Sequence, residues 1–150
     1  MSKVPAKPAI PLAETPACAC LNLRKAARAV TQMYDRVLKP SGLKATQFSV
    51  LAAVGLAGPS SMTAIAGTLV MDRTTLTRNL RPLMQSGLIG WATSADRRER
   101  PIALTAKGEA VLAQAVPLWK KAHGQIVNGV GEARWSGLAK LLQESIRLSQ

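Results

Sequence analysis

At 150 residues the chain holds one compact unit, or a small domain with a helical arm, rather than two independent cores. Twenty Lys and Arg against eight Asp and Glu give a formal charge of +12 and a sequence pI of about 10.7, a field that draws anions such as nucleic acid or an acidic membrane surface. A 47% hydrophobic content rich in Ala, Leu and Val, with 3% aromatic, favours a helical protein over a β-sandwich and leaves little stacking surface for single-stranded nucleic acid.

Residues 1–17 place Pro5, Pro8, Pro11 and Pro16 close together, which blocks regular helix and leaves no uninterrupted apolar core for a signal peptide; a disordered tail is expected. Gly, Pro and charged residues interrupt every later apolar run, so no membrane span and a cytoplasmic location are expected. Cys18 and Cys20 are too few and too close for a disulfide framework, which suits a reducing compartment.

Residues 18–39 carry Leu23, Ala26, Ala27, Val30, Met33, Tyr34 and Val37 at the three-and-four spacing of one helical face. Pro40, Ser41 and Gly42 stop this helix, and Arg24, Lys25, Arg28 and Arg36 on its other face read as solvated. A short, largely buried helix follows at 45–58, with Phe48, Leu51, Ala52 and Val54 to Leu56 inside and Gly58-Pro59 at its end. Ser60 or Ser61 is placed to cap a third helix whose Met62, Ile65, Ala66 and Leu69 face inward.

Asp72 is the expected N-cap of a fourth helix, with Leu76, Leu80, Leu83 and Met84 buried and Gly87 at its stop. The exposed side of its first turns holds Arg73, Thr74, Thr75, Thr77, Arg78 and Arg81. Leu88–Thr93 and Pro101–Leu104 read as two short strands around a turn containing Asp96, Arg97, Arg98, Glu99 and Arg100, too long and too charged for a tight hairpin. Thr105 is placed to cap a further helix with Leu112, Ala115, Val116, Trp119 and Ile126 on one face, kinked at Pro117 and interrupted by Gly129 and Gly131. A last helix repeats the pattern at Trp135, Leu138, Leu141, Leu142 and Ser145. Its apolar face needs a partner, and a second copy of the chain is the economical one.

Helix, turn, helix, strand, arginine turn and strand in one basic chain describe a winged helix-turn-helix aimed at double-stranded DNA. The N-terminal end of a helix in the major groove reaches base edges. Arginine pairs with guanine there, and threonine offers a hydroxyl to phosphate and a methyl to thymine. The wing residues Asp96, Arg97, Arg98 and Arg100 have the charge and reach for the adjacent minor groove, with an acid bracing a guanidinium.

The run LVMDRTTLTRNLRPLMQSGLI resembles the turn and recognition helix of the MarR family of transcriptional regulators. DRRERPIALTAKG, with Asp96, Arg98, Leu104, Thr105 and Gly108 in register, resembles its wing signature. The resemblance runs from about Cys20 to the C-terminus. It implies a homodimer whose dimerisation helices are about 18–40 and 106–149, with a DNA-binding winged helix at about 43–105 inside a single domain 18–150. It also implies an effector cleft between dimer interface and DNA-binding lobe, and a pseudo-palindromic operator held by a repressor. Arg98 would then be the minor-groove arginine, with Thr75, Thr77 and Arg78 in the major groove. Val70 stands in the helix–helix turn where members often have Gly; because a β-branched residue disfavours positive φ, an altered turn is expected. Pro82 removes a backbone donor from the recognition helix and should bend it.

Two inputs are open. Cys18-Ala-Cys20 sits at a helix start, where the dipole and the nearby Arg24 and Lys25 favour thiolate; this suits an oxidant or electrophile, and two such pairs in a dimer could hold a soft metal or metalloid. Met33, Tyr34, Phe48, Trp119 and His123 are candidates by type for a pocket taking a small organic effector. No cofactor is required. A thiol-dependent enzyme lacks a second histidine and a carboxylate pair beside the cysteines, so no catalytic residues are assigned. The competing reading is a sequence-nonspecific architectural DNA binder, for which charge alone suffices.

Overall fold

A computed structural model describes residues 10–94 and 100–150. Among them, six helices and one two-stranded antiparallel sheet follow in the order α1 (Ala19–Leu38), α2 (Ala45–Ala57), α3 (Met62–Leu69), α4 (Arg73–Gln85), β1 (Ile89–Trp91), β2 (Ile102–Leu104), α5 (Ala106–Val130) and α6 (Glu132–Leu148). The mainly α architecture with a hairpin wing is the one the apolar spacing calls for.

Local chemistry sets the boundaries. Thr15–Ala17 makes one 3-10 turn ahead of α1, and Asn22 Nδ2 donates to the carbonyls of Pro16 and Cys18 at 2.7 and 2.9 Å, tying that turn to the helix. At the other end of α1, Asp35 Oδ1 accepts from the Ala45 amide at 2.7 Å, so a carboxylate from one helix satisfies the exposed start of the next. Ser61, not Ser60, caps α3, accepting from the Ala64 amide at 3.2 Å. Ser60 instead exchanges two backbone hydrogen bonds with Ile102, adding a one-residue lane beside β2.

The helix–helix turn corrects the expectation at Val70. The residue takes the left-handed conformation with φ 53° and ψ 45°. Its amide donates to Gly67 O at 3.2 Å and the Met71 amide to Ala66 O at 2.9 Å, the paired bonds of a Schellman stop. Those two bonds satisfy carbonyls that α3 would otherwise leave open, which holds the valine in place against an intrinsic cost of about 1–2 kcal/mol.

Two further expectations change. Gly129 does not interrupt α5, which runs through Pro117 and Gly129 and stops at Gly131 with φ 92°. A helical glycine costs only about 1 kcal/mol, less than the packing of so long an element supplies. Leu56 is not buried but 90% exposed, while Val50, Leu51, Ala53 and Val54 face the core. Because α2 is apolar almost all round, periodicity alone could not choose its inner side. The strands are also shorter than expected. Ala92 still donates to Pro101 O at 2.8 Å, but Pro101 has no amide to return the bond and the ladder ends.

The core gathers Leu38, Phe48, Leu51 and Val54 with Ile65, Leu76, Leu80 and Leu83, closed by Ile89 and Ile102 of the hairpin and Ala115 of α5. No residue of α6 is buried, and α1 is exposed from Ala19 to Val30. No helix among the described residues is long and apolar enough to cross a membrane.

Candidate nucleic-acid interface and the cleft behind it

α4 has two unlike sides. Leu76, Leu80 and Leu83 lock one side into the core, so the orientation of the other is fixed; on it Arg73, Thr74, Thr77, Arg78 and Arg81 are exposed. Asp72 caps the helix with both carboxylate oxygens, Oδ1 accepting from the Thr75 amide at 2.8 Å and Oδ2 from the Thr75 hydroxyl at 2.7 Å. These bonds hold the Asp72 carboxyl below the ordinary carboxylate range, the backbone one contributing most. Thr75 is half-buried, and its hydroxyl proton is engaged in the cap. The Thr77 hydroxyl donates to Arg73 O at 2.8 Å, which leaves its methyl and lone pairs outward.

Asp96, Arg97 and Arg98 fall in 95–99, outside the described residues. The base of the wing is described, and its arginine is not simply solvated. Arg100 lies over the ring of Trp91, its guanidinium carbon 4.6 Å from the ring centroid. Arg73, Trp91 and Arg100 line one hollow with Ser61, Thr63 and Pro101, so two arginines and an aromatic ring share the joint between α3, α4 and the hairpin. Trp91 was not singled out from the sequence. The sequence offers only a tryptophan in a short strand before an arginine-rich turn; the structure adds that it pairs with Ile102 and is left 48% exposed.

The aromatic candidates do meet. Phe48 stacks on Trp119 at 5.9 Å between centroids and 13° between planes, and Trp119 on His123 at 5.1 Å and 7°. His123 meets Trp135 of α6 edge-on at 5.8 Å, and the Tyr34 hydroxyl approaches His123 Nδ1 at 3.4 Å. Partial burial pushes the Tyr34 phenol up from its ordinary value. Met33, half-buried on α1, does not join this row. Beside the row a cleft of about 590 Å³ opens between α2, β2 and α5, lined by Phe48, Ala52, Gly55, Leu56, Leu104, Glu109, Leu112, Ala113, Val116 and Trp119. A smaller hollow of about 350 Å³ on the α1 side shares Phe48, Ala52, Leu56 and Trp119 and adds Tyr34.

Cys18 and Cys20 are both exposed free thiols, one preceding α1 and one in its first turn. Among the described residues no group of three or more His, Cys, Asp or Glu side chains comes together as a metal-ligand set.

α4, wing and α5 are joined at one place. The Thr105 hydroxyl donates to Gly87 O at 2.6 Å while its oxygen accepts from the Gly108 amide at 3.0 Å, and the Thr105 amide donates to Leu88 O at 3.1 Å. A Cβ on Gly108 would overlap the Leu88 carbonyl, so only glycine allows this approach. The Thr105 and Gly108 of the wing signature are thus the weld between the recognition helix and α5.

No family model matches the chain. A curated relative, the uncharacterised HTH-type transcriptional regulator YwoH of Bacillus subtilis, is 29% identical over 88 residues; the match takes 59% of this chain and spans 64% of that protein's length. Among solved structures, the transcriptional regulator MosR of M. tuberculosis in complex with DNA is 42% identical, covering 89% of this chain and 99% of that one with a TM-score of 0.75. The transcriptional repressor CouR bound to a 23-mer DNA duplex is 29% identical, with coverage of 90% and 96% and a TM-score of 0.76. CouR has also been solved with p-coumaroyl-CoA, at 25% identity, coverage of 92% and 98% and a TM-score of 0.80. E. coli MarR on operator DNA, at 21% identity, coverage of 91% and 99% and a TM-score of 0.79, shares the fold. With a relative 42% identical matched over nearly its whole length, and with helix-turn-helix, wing and flanking helices all in place, the chain belongs to the MarR family of winged helix-turn-helix transcriptional regulators.

Proposed function

We propose that the chain is a dimeric repressor that holds a pseudo-palindromic operator and lets go when an effector or a thiol modification reaches it. The observation that carries the DNA half is α4: its inner leucines fix it in the core, and the exposed side presents Arg73, Thr74, Thr77, Arg78 and Arg81. Arg78 and Thr77 are assigned to base edges in the major groove, and Arg73, Arg81 and Arg100 to phosphates beside it. Thr75 serves chiefly through the cap. Arg97 and Arg98 are assigned to the minor groove with Asp96 as a brace, by the resemblance of the wing sequence. The dimer rests on the apolar residues that α1 and α6 leave in the open, Leu21, Leu23, Leu138 and Leu141 among them.

Selection of genomic fragments by the purified protein tests this. A pseudo-palindrome should emerge with half-site centres about 34 Å apart. Arg78→Ala should relax the preference at one base position, at a cost of about 1–3 kcal/mol in discrimination, while Arg73→Ala should weaken all duplexes alike. Equal affinity for unrelated duplexes with a steep salt dependence would instead mark an architectural binder. For the input, exposure of both thiols supports modification. Operator release by peroxide or a thiophilic metalloid should be lost in Cys18→Ser and Cys20→Ser; release unchanged in both sinks the thiol sensor.

A further inference from the structure

We infer that the cleft between α2, β2 and α5 receives a flat aromatic ligand carrying a single cationic amine. The inference deepens the effector half of the proposed function and rests on that reading only for its effect on DNA. At about 590 Å³ the cleft lies within the size range that buries most of a small organic molecule. Phe48 and Trp119 line it together with the side chains of Leu56, Leu104, Leu112 and Val116. Stacking on both Phe48 and His123 holds Trp119 in place, so the aromatic wall is rigid and suits an aromatic guest.

Charge decides the head group. Among the described residues no lysine, arginine or histidine lines the cleft, and Glu109, in the first turn of α5, is the one acidic side chain that does. An anionic ligand would bring a carboxylate into an apolar site with no counter-charge and one like charge, whereas an amine would find a partner at the rim. The chain as a whole carries +12, so a local preference for cations runs against the general field and must come from this site.

Gly55 sets the packing at one side of the cleft. A Cβ there would stand 3.0 Å from a Leu104 methyl and 3.5 Å from one of Leu112, so a glycine in mid-helix lets both leucines close on α2 and a larger side chain would displace them into the cleft. Leu104 immediately precedes Thr105, which bonds to the turn after α4. A guest pressing on Leu104 therefore acts one residue from the joint that sets the recognition helix.

Calorimetric titration of the full-length protein with an isosteric pair tests this: 2-naphthylmethylamine and 2-naphthoate have the same ring and opposite charge. The amine should bind once per chain, at least about tenfold tighter than the acid. Glu109→Gln should narrow that preference by about fivefold. Gly55→Val, and independently the rim substitution Ala113→Phe, should abolish binding of the amine; the second guards against a Gly55 variant that fails to fold. Acid binding as tightly as amine, or a preference unchanged in Glu109→Gln, overturns the cationic assignment. Undiminished binding in folded Ala113→Phe overturns the cleft. The same preparation is titrated with the selected duplex: protein that binds the duplex but never the amine overturns this inference and leaves the regulator reading standing. Protein that binds the amine through Glu109 but selects no duplex overturns the regulator reading and upholds the cleft.

Discussion

Val70 and Asp72 lie two residues apart at the entry to α4, and both are held by hydrogen bonds rather than by burial. Val70 sits in the left-handed region with 53% of its surface exposed, so replacing it with glycine removes strain and forfeits little packing. Val70→Gly should raise stability by about 1 kcal/mol in denaturant titrations at fixed protein concentration. Asp72 is the opposite case. Because its folded carboxyl titrates below its unfolded value, its contribution is complete above the ordinary carboxylate pKa and fades as pH falls through the lowered one. Asp72→Ala should therefore be less stable than the parent at neutral pH, and the gap should close on acidification below the ordinary carboxylate range. The three caps were legible because Ser61, Asp72 and Thr105 each stand just before an apolar-periodic run. The valine turn was not: propensity weighs φ at one residue, whereas the two Schellman bonds that override it are a property of the finished helix end.

Elements show the same division. α1, α4 and α6 have one apolar side each, and their extents follow from the spacing. α2 is apolar nearly all round, so its existence was plain and its inner face was not, which is how Leu56 came to be expected inside. The aromatic row was harder still. Tyr34 and His123 are 89 positions apart, and only packing of α1 and α2 along α5 brings Tyr34, Phe48, Trp119 and His123 together. In the hairpin, Trp91 is the element's own device for aiming Arg100. Trp91→Ala should leave the melting of the protein nearly unchanged and weaken operator binding by about two- to fivefold, as befits one exposed cation–π contact. An equal loss in Trp91→Phe and Trp91→Ala would indicate that the indole, not a ring in general, does the holding.

For the whole molecule, the exposed apolar residues are unevenly placed. The winged-helix core is closed, whereas Leu138, Leu141, Ile146 and Leu148 of α6 and Leu21, Leu23 and Val30 of α1 stand open to solvent. On the proposed dimer these are covered by the second copy. Leu141→Glu should shift the protein toward monomer in sedimentation at micromolar concentration, and operator affinity should fall more than affinity for a single half-site. A variant that stays dimeric would place the interface elsewhere.

The weld at Gly108 has one more consequence, of a mechanical kind. α5 has 25 residues and so is about 37 Å long. Its N-terminal end is fixed to the turn that closes α4, and its far end lies beside α6. A rod anchored in this way is a lever. A tilt of about 5° at the α6 end carries the other end through about 3 Å, a full hydrogen-bond length. On the proposed mode of DNA binding, a displacement of that size at the α4 end is enough to shift its row of arginines against a groove, and the absence of a Cβ at Gly108 is what lets the joint close.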